Sequence, residues 1–131
     1  MKIEKFEDIL AWQKARMLTK NIYASTREGA FAKDFGLKDQ LQRASVSTMA
    51  NIAEGFERGG DREFLQFLSN SKGSCGEVKS HMYVALDLNY ISEVTFRELY
   101  DNATEVSRLV SGFTSYLRDS NVGGHKFKGR E

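Results

Sequence analysis

Seven side chains, Phe96, Leu99, Ala103, Val106, Val110, Phe113 and Leu117, follow one another at alternating intervals of three and four residues. That spacing puts all seven on one stripe of an α-helix, and such a stripe has to be buried against other elements. A second stripe, Phe64, Leu68, Ser71, Cys75, Val78, Met82 and Ala85, is nearly as regular. The 131 residues contain no proline. Proline breaks helix interiors and punctuates loops, so its absence favours long helices joined by short turns.

Two further stripes complete a set of four. The first helix is expected over about residues 7–26, with Ala11, Ala15, Leu18 and Ile22 inward and Trp12 beside them. The second is expected over about residues 37–54, with Leu37, Leu41, Ala44, Thr48 and Ile52 inward and Gly55 as its stop. Asp61 is the predicted N-cap of the third helix, and Ser92 that of the fourth. Between those two lies only Leu88-Asn89-Tyr90-Ile91-Ser92, a link so short that the helices it joins are antiparallel neighbours. Asn89 tolerates the left-handed conformation that ends a helix. Residues 27–36 read as a partly packed loop. The pattern predicts an all-α fold, an antiparallel up-down four-helix bundle over residues 1–118, followed by a flexible basic tail over 119–131.

Composition narrows the function classes. Net charge is +1 and the isoelectric point about 7.8, below the value of about 9 that marks a strongly basic nucleic-acid-binding domain. A local basic patch stays compatible with that balance. The single cysteine, Cys75, has no partner for an internal disulfide. The charged start of the chain has no apolar core of a signal peptide, and no run approaches the roughly 18 apolar residues of a membrane span. A cytoplasmic protein without membrane contact is the expectation.

No catalytic or metal-binding constellation stands out, and neither an enzyme nor a cofactor is predicted. Neither His81 nor His125 follows a glutamate at the Glu-x-x-His spacing of di-iron bundles. Glu77 and His81 share a helix face, but a zinc site needs more ligands than that pair, so a surface pair is the simpler reading. Cys75 falls on an apolar stripe, where a buried inert thiol is the ordinary reading. Gly55-x-x-x-Gly59-Gly60 is not followed by Lys-Ser/Thr, so it marks a turn and no phosphate loop.

Three surface patterns are candidate binding sites. Gln40, Arg43, Ser47, Asn51 and Glu54 form a narrow polar stripe on the second helix. It is a solvated face, a buried polar network or a polar seam between subunits. Residues 9–27 contain Lys14, Arg16, Lys20 and Arg27 and no acid, whereas Glu98, Asp101 and Glu105 line up on the fourth helix. These opposed stripes either pair weakly at the edges of one bundle or join one subunit head-to-tail to the next. Arg16, Lys20 and Arg27 also suit phosphates, as do Lys126, Lys128 and Arg130 beside Phe127 in the tail, where a solvated tail is the plainer reading.

The chain resembles a known family. Phe6-Glu7-Asp8-Ile9 with Ala11-Trp12-Gln13-Lys14-Ala15 looks like its N-terminal signature. Phe35-Gly36-Leu37, Gln40-Leu41, Arg43-Ala44, Ser47 and Asn51-Ile52-Ala53-Glu54-Gly55 match its second block, and Glu63-Phe64, Phe67-Leu68, Gly73-Ser74 and Tyr90-Ile91-Ser92 follow in order. These are similar to the proteins encoded in 23S rRNA intervening sequences, also labelled S23 ribosomal proteins. The resemblance implies a left-handed bundle assembling as a homopentameric ring. It also implies a distant relation to the accessory protein of diversity-generating retroelements, a basic pentamer that works with a reverse transcriptase and nucleic acid. The expected partners are copies of itself and RNA or an RNA-associated protein; the alternative is a protein-interaction scaffold without nucleic-acid contact. Met49 stands where many members have proline, which puts a kink in the second helix in doubt, and Asn89 replaces the usual glycine.

Overall fold

The computed structural model of the protein describes residues 2–121. Four helices dominate it: α1 (Leu10–Thr26), α2 (Phe35–Arg58), α3 (Asp61–Asp87) and α4 (Glu93–Asn121). Each packs on its sequence neighbour, and α1 also packs on α4, closing a four-helix bundle. At 1.5 Å per residue α3 is about 40 Å long. The predicted stripes are its core, for Ala15, Leu18, Ile22, Leu41, Ile52, Phe64, Leu68, Val78, Met82, Val106 and Val110 are all buried.

The helix ends show which local signals operate. A single 3₁₀ turn, Phe6–Asp8, precedes α1, so the helix starts three residues later than its pattern suggests. The Asp8 carboxylate accepts hydrogen bonds from the Glu4 and Lys5 amides at 3.0 and 3.2 Å, which holds that turn. The 27–36 loop is packed through Phe31, which is buried and stacks on Tyr90 with ring centroids 5.2 Å apart. Asp34 then caps α2, accepting from the Leu37 amide at 3.1 Å, so α2 begins at Phe35 and not at Leu37. The Tyr90 hydroxyl donates to the other oxygen of Asp34 at 2.9 Å and ties the two loops at this end of the bundle together.

Gly55 does not stop α2. The helix runs on to Arg58 and ends at Gly59, whose φ of 85° is left-handed. A Cβ on Gly55 would lie 2.7 Å from Phe64 Cδ1 and 2.8 Å from Phe67 Cβ. The glycine is there because α2 and α3 approach too closely for a side chain. Asp61 is likewise not the cap of α3: Gly60 holds that position, and Asp61 is the first helical residue, where a negative charge suits the helix dipole. At the far end of α3, Asn89 adopts φ 61°, with the Asn89 amide bonded to Leu86 O and the Tyr90 amide to Ala85 O. Those two bonds form a Schellman stop. Ser92 caps α4 through the Thr95 amide at 3.1 Å.

Helix α2 is continuous through Met49. Its buried hydroxyls are satisfied internally: Thr48 donates to Ala44 O at 2.8 Å, and Ser71 of α3 donates to Thr48 O at 2.6 Å. A hydroxyl bonded to a neighbouring helix's carbonyl lets the two backbones approach without leaving a buried polar atom unpaired. Among the described residues no helix is long and apolar enough to cross a membrane.

Candidate interaction surfaces

The outward face of α1 carries the clearest chemistry. Leu10, Met17 and Ala24 recur on it at seven-residue intervals, and all three are exposed, Met17 by 51%. Gln13, Lys20 and Arg27 flank that line at the same interval, with Arg16 and Tyr23 beyond them. The opposite side of the helix, through Ala11, Ala15, Leu18, Ile22 and Thr26, is buried, so the cations have no route inward. Phe6 supports Trp12 edge-on at 5.1 Å, and the Arg16 guanidinium lies 5.8 Å from the Trp12 ring centroid. The side chains of Lys20 and Arg27 make no ion pair or hydrogen bond among the described residues. The fourth cation, Lys14, points to the other edge and reaches Glu105 of α4 at 3.9 Å. That exposed pair contributes only about 0–1 kcal/mol.

On α4 the acidic stripe is partly engaged. Glu105 has Lys14, and Asp101 has Arg97 one turn away at 3.8 Å. Glu98 has no partner among the described residues and borders a hollow with Asn21, Ala24 and Ser25 of α1. The basic and acidic stripes of one chain therefore meet only at Lys14, and most of each faces outward.

The polar stripe of α2 is divided among three environments. Ser47 Oγ lies 2.8 Å from Ser74 Oγ of α3, and Asn51 donates to the carbonyl and hydroxyl oxygens of Ser47 at 2.8 and 3.0 Å. Arg43 pairs with Asp39 and Glu54 with Arg58, both at 2.9 Å and one turn apart. Gln40 is exposed. Ser47 and Asn51 thus belong to the α2–α3 seam of this chain. Beside that seam lies a surface that reading the sequence for charged patterns passes over. Residues 44–53 contain no charged side chain, and Val46 and Ala50 are exposed there. The nearby α3 glycines Gly73 and Gly76 have nothing within 4 Å of where a Cβ would stand.

The remaining candidates show no site chemistry. The described residues hold no group of three or more His, Cys, Asp or Glu side chains able to bind a metal, and Glu77 is exposed beside a half-buried His81. Cys75 is fully buried and donates to Ala103 O at 3.1 Å. Burial pushes its thiol up to about 11, which keeps it protonated and unreactive at neutral pH. Lys126, Lys128 and Arg130 lie outside the described residues, as does the tail expected from residue 119 except for its start, which α4 takes up as far as Asn121.

Fold and surface together define a helical bundle that presents charged outer faces and, among the described residues, no catalytic cluster. The model of the 23S rRNA-intervening sequence protein family matches residues 7–112, and the chain belongs to that family. Its fold is similar to the crystal structure of a protein of unknown function from the S23 ribosomal protein family of Bacteroides thetaiotaomicron. That similarity has a TM-score of 0.74 at 17% identity, covering 81% of this chain and 96% of the other. No curated protein matches the chain.

Proposed function

We propose that this protein is a non-enzymatic bundle that binds RNA through the outer face of α1. The observation that carries the reading is the set Arg16 and Lys20 on α1 and Arg27 at its C-cap, three exposed cations along a helix with no acid from Leu10 to Thr26, none of them in an ion pair among the described residues. Phosphates are the complementary charge, and Trp12 and Tyr23 place aromatic surface beside the cations. The tail cations Lys126, Lys128 and Arg130 extend the same chemistry.

Binding of a fluorescent RNA hairpin across a salt series tests this. The reading expects affinity to fall steeply as salt rises, because each phosphate contact releases a counterion. Absence of binding at low salt would overturn it and leave the second reading, a protein scaffold that never touches nucleic acid. That alternative has its own support in the uncharged face of α2 from residue 44 to 53. Such a face repels no partner and suits packing against another protein.

A further inference from the structure

We propose that the hollow beside Trp12 takes one unpaired guanine base, so that the RNA met by α1 is single-stranded and carries guanine at that point. This rests on the RNA reading and adds which part of an RNA is recognised.

Glu7, Trp12, Gln13, Arg16, Met17 and Lys20 line a surface hollow of about 560 Å³ where the 3₁₀ turn meets α1. That is within the roughly 300–1,000 Å³ typical of small-molecule sites. The half-buried Trp12 offers the stacking surface, with the exposed Met17 as apolar wall. Phe6 meets Trp12 at 66° between ring planes, which fixes the indole without laying a second ring flat against it. The Arg16 guanidinium lies 5.8 Å from the Trp12 centroid. A flat base held between indole and guanidinium takes two layers of about 3.5 Å, so Arg16 has to move out by only about 1 Å. No ion pair among the described residues holds it back.

The polar groups of the hollow select the base. Gln13 Nε2 donates to Glu7 O at 2.8 Å. A carbonyl oxygen only accepts, so the amide nitrogen has to face it and Gln13 Oε1 is left as an acceptor. The Glu7 carboxylate is exposed and has no ion pair among the described residues, whereas its neighbour Asp8 holds the turn through two amides. An unpaired acid beside Arg16 and Lys20 weakens attraction for phosphate, and a face serving phosphates alone would bind better without it.

Two acceptors in one hollow call for a base edge with two adjacent donors. Guanine has that edge, N1–H beside the N2 amino group, and a carboxylate can accept both at once. Uracil sets one donor between two acceptor oxygens. Adenine and cytosine each set an amino group beside a bare ring nitrogen, which an acceptor repels. Lys20, one turn beyond Arg16, is then placed for the phosphate of the bound nucleotide. Arg27, about 10 Å further along the helix, is placed for that of a neighbour. In a duplex the same guanine edge is paired and hidden, so the hollow requires an unpaired base.

Trp12 is the chain's one tryptophan, so its fluorescence reports on this hollow. The test is a titration with uridine pentamers carrying a central guanosine, a central adenosine or neither. The guanosine strand is expected to quench Trp12 and to bind at least about tenfold tighter than the other two. Glu7→Gln should erase that preference, while the all-uridine strand binds it as well as the wild type or better, because a negative charge is gone. Equal affinity for the three strands, a preference that survives Glu7→Gln, or binding without a change in Trp12 emission would each overturn the guanine hollow. Those results would leave phosphate binding by α1 standing. Absence of binding by every strand and by an RNA hairpin would defeat the RNA reading, and the hollow's ligand with it. Guanosine monophosphate separates a strand from a free nucleotide. Lacking the neighbouring phosphate for Arg27, it should need at least about tenfold higher concentration to quench. Quenching at equal concentration would overturn the strand as the ligand.

Discussion

Gly55 and Gly73 are both glycines in helix interiors, and their surroundings are opposite. Gly55 → Ala must push Phe64 or Phe67 aside, since the new methyl would stand 2.7 and 2.8 Å from them. Overpacking of that kind costs about 1–3 kcal/mol. Gly73→Ala meets nothing, and relief of the glycine's backbone entropy should stabilise the isolated chain by about 1 kcal/mol. Denaturant midpoints should therefore move in opposite directions. Equal losses would refute the close-approach account of Gly55. Cys75 gives a pH prediction at the same scale. Its folded pKa of about 11 is above the ordinary value of 9.0, because burial disfavours the thiolate. A raised folded pKa stabilises fully below the unfolded value and is lost as pH rises through the folded one. Stability should fall between about pH 9 and 11, and Cys75→Ala should flatten part of that fall; an unchanged alkaline slope in thermal melts would contradict the assignment.

At the scale of elements, the helices were legible where one stripe and one terminal signal agreed. The α4 stripe with Ser92 before it, and the α3 stripe with Asn89 after it, are read directly because a cap hydroxyl and a left-handed asparagine have few other uses. The end of α2 was not legible, because glycine serves both as a helix stop and as a place of close approach, and only the position of Phe64 and Phe67 distinguishes them. The start of α2 depends on Asp34, whose side chain serves the Leu37 amide and the Tyr90 hydroxyl at once. Asp34→Ala should cost about 1–2 kcal/mol as a lost cap. Tyr90→Phe, which keeps the ring on Phe31, should cost less. If Tyr90→Phe proved the more damaging in thermal melts, the hydrogen bond and not the cap would be what fixes this end. The α2 polar stripe shows the same limit from another side. Periodicity places Ser47 and Asn51 on one face, but it does not say that α3 brings Ser74 to meet them.

Across the whole molecule, the buried faces account for the bundle and leave the outer charges unexplained by folding. Lys14–Glu105 is the one ion pair joining α1 and α4 among the described residues, at 3.9 Å and half-exposed. Arg16, Lys20 and Arg27 could be lost without disturbing any ion pair there, so Arg16→Ala/Lys20→Ala/Arg27→Ala should fold and lose no more than about 1 kcal/mol, the worth of the Arg16–Trp12 contact. The candidate site was legible as a run without acids; its exposure was not, since the same run could have been neutralised by a neighbouring helix. The α1 face as the RNA-binding surface is tested most directly by RNA-hairpin anisotropy against salt for the wild type and this triple variant. The account predicts a log–log salt slope shallower by about 2 for the variant, at roughly 0.7–0.9 per phosphate contact, with weaker binding at every salt concentration. Identical slopes and affinities would contradict it.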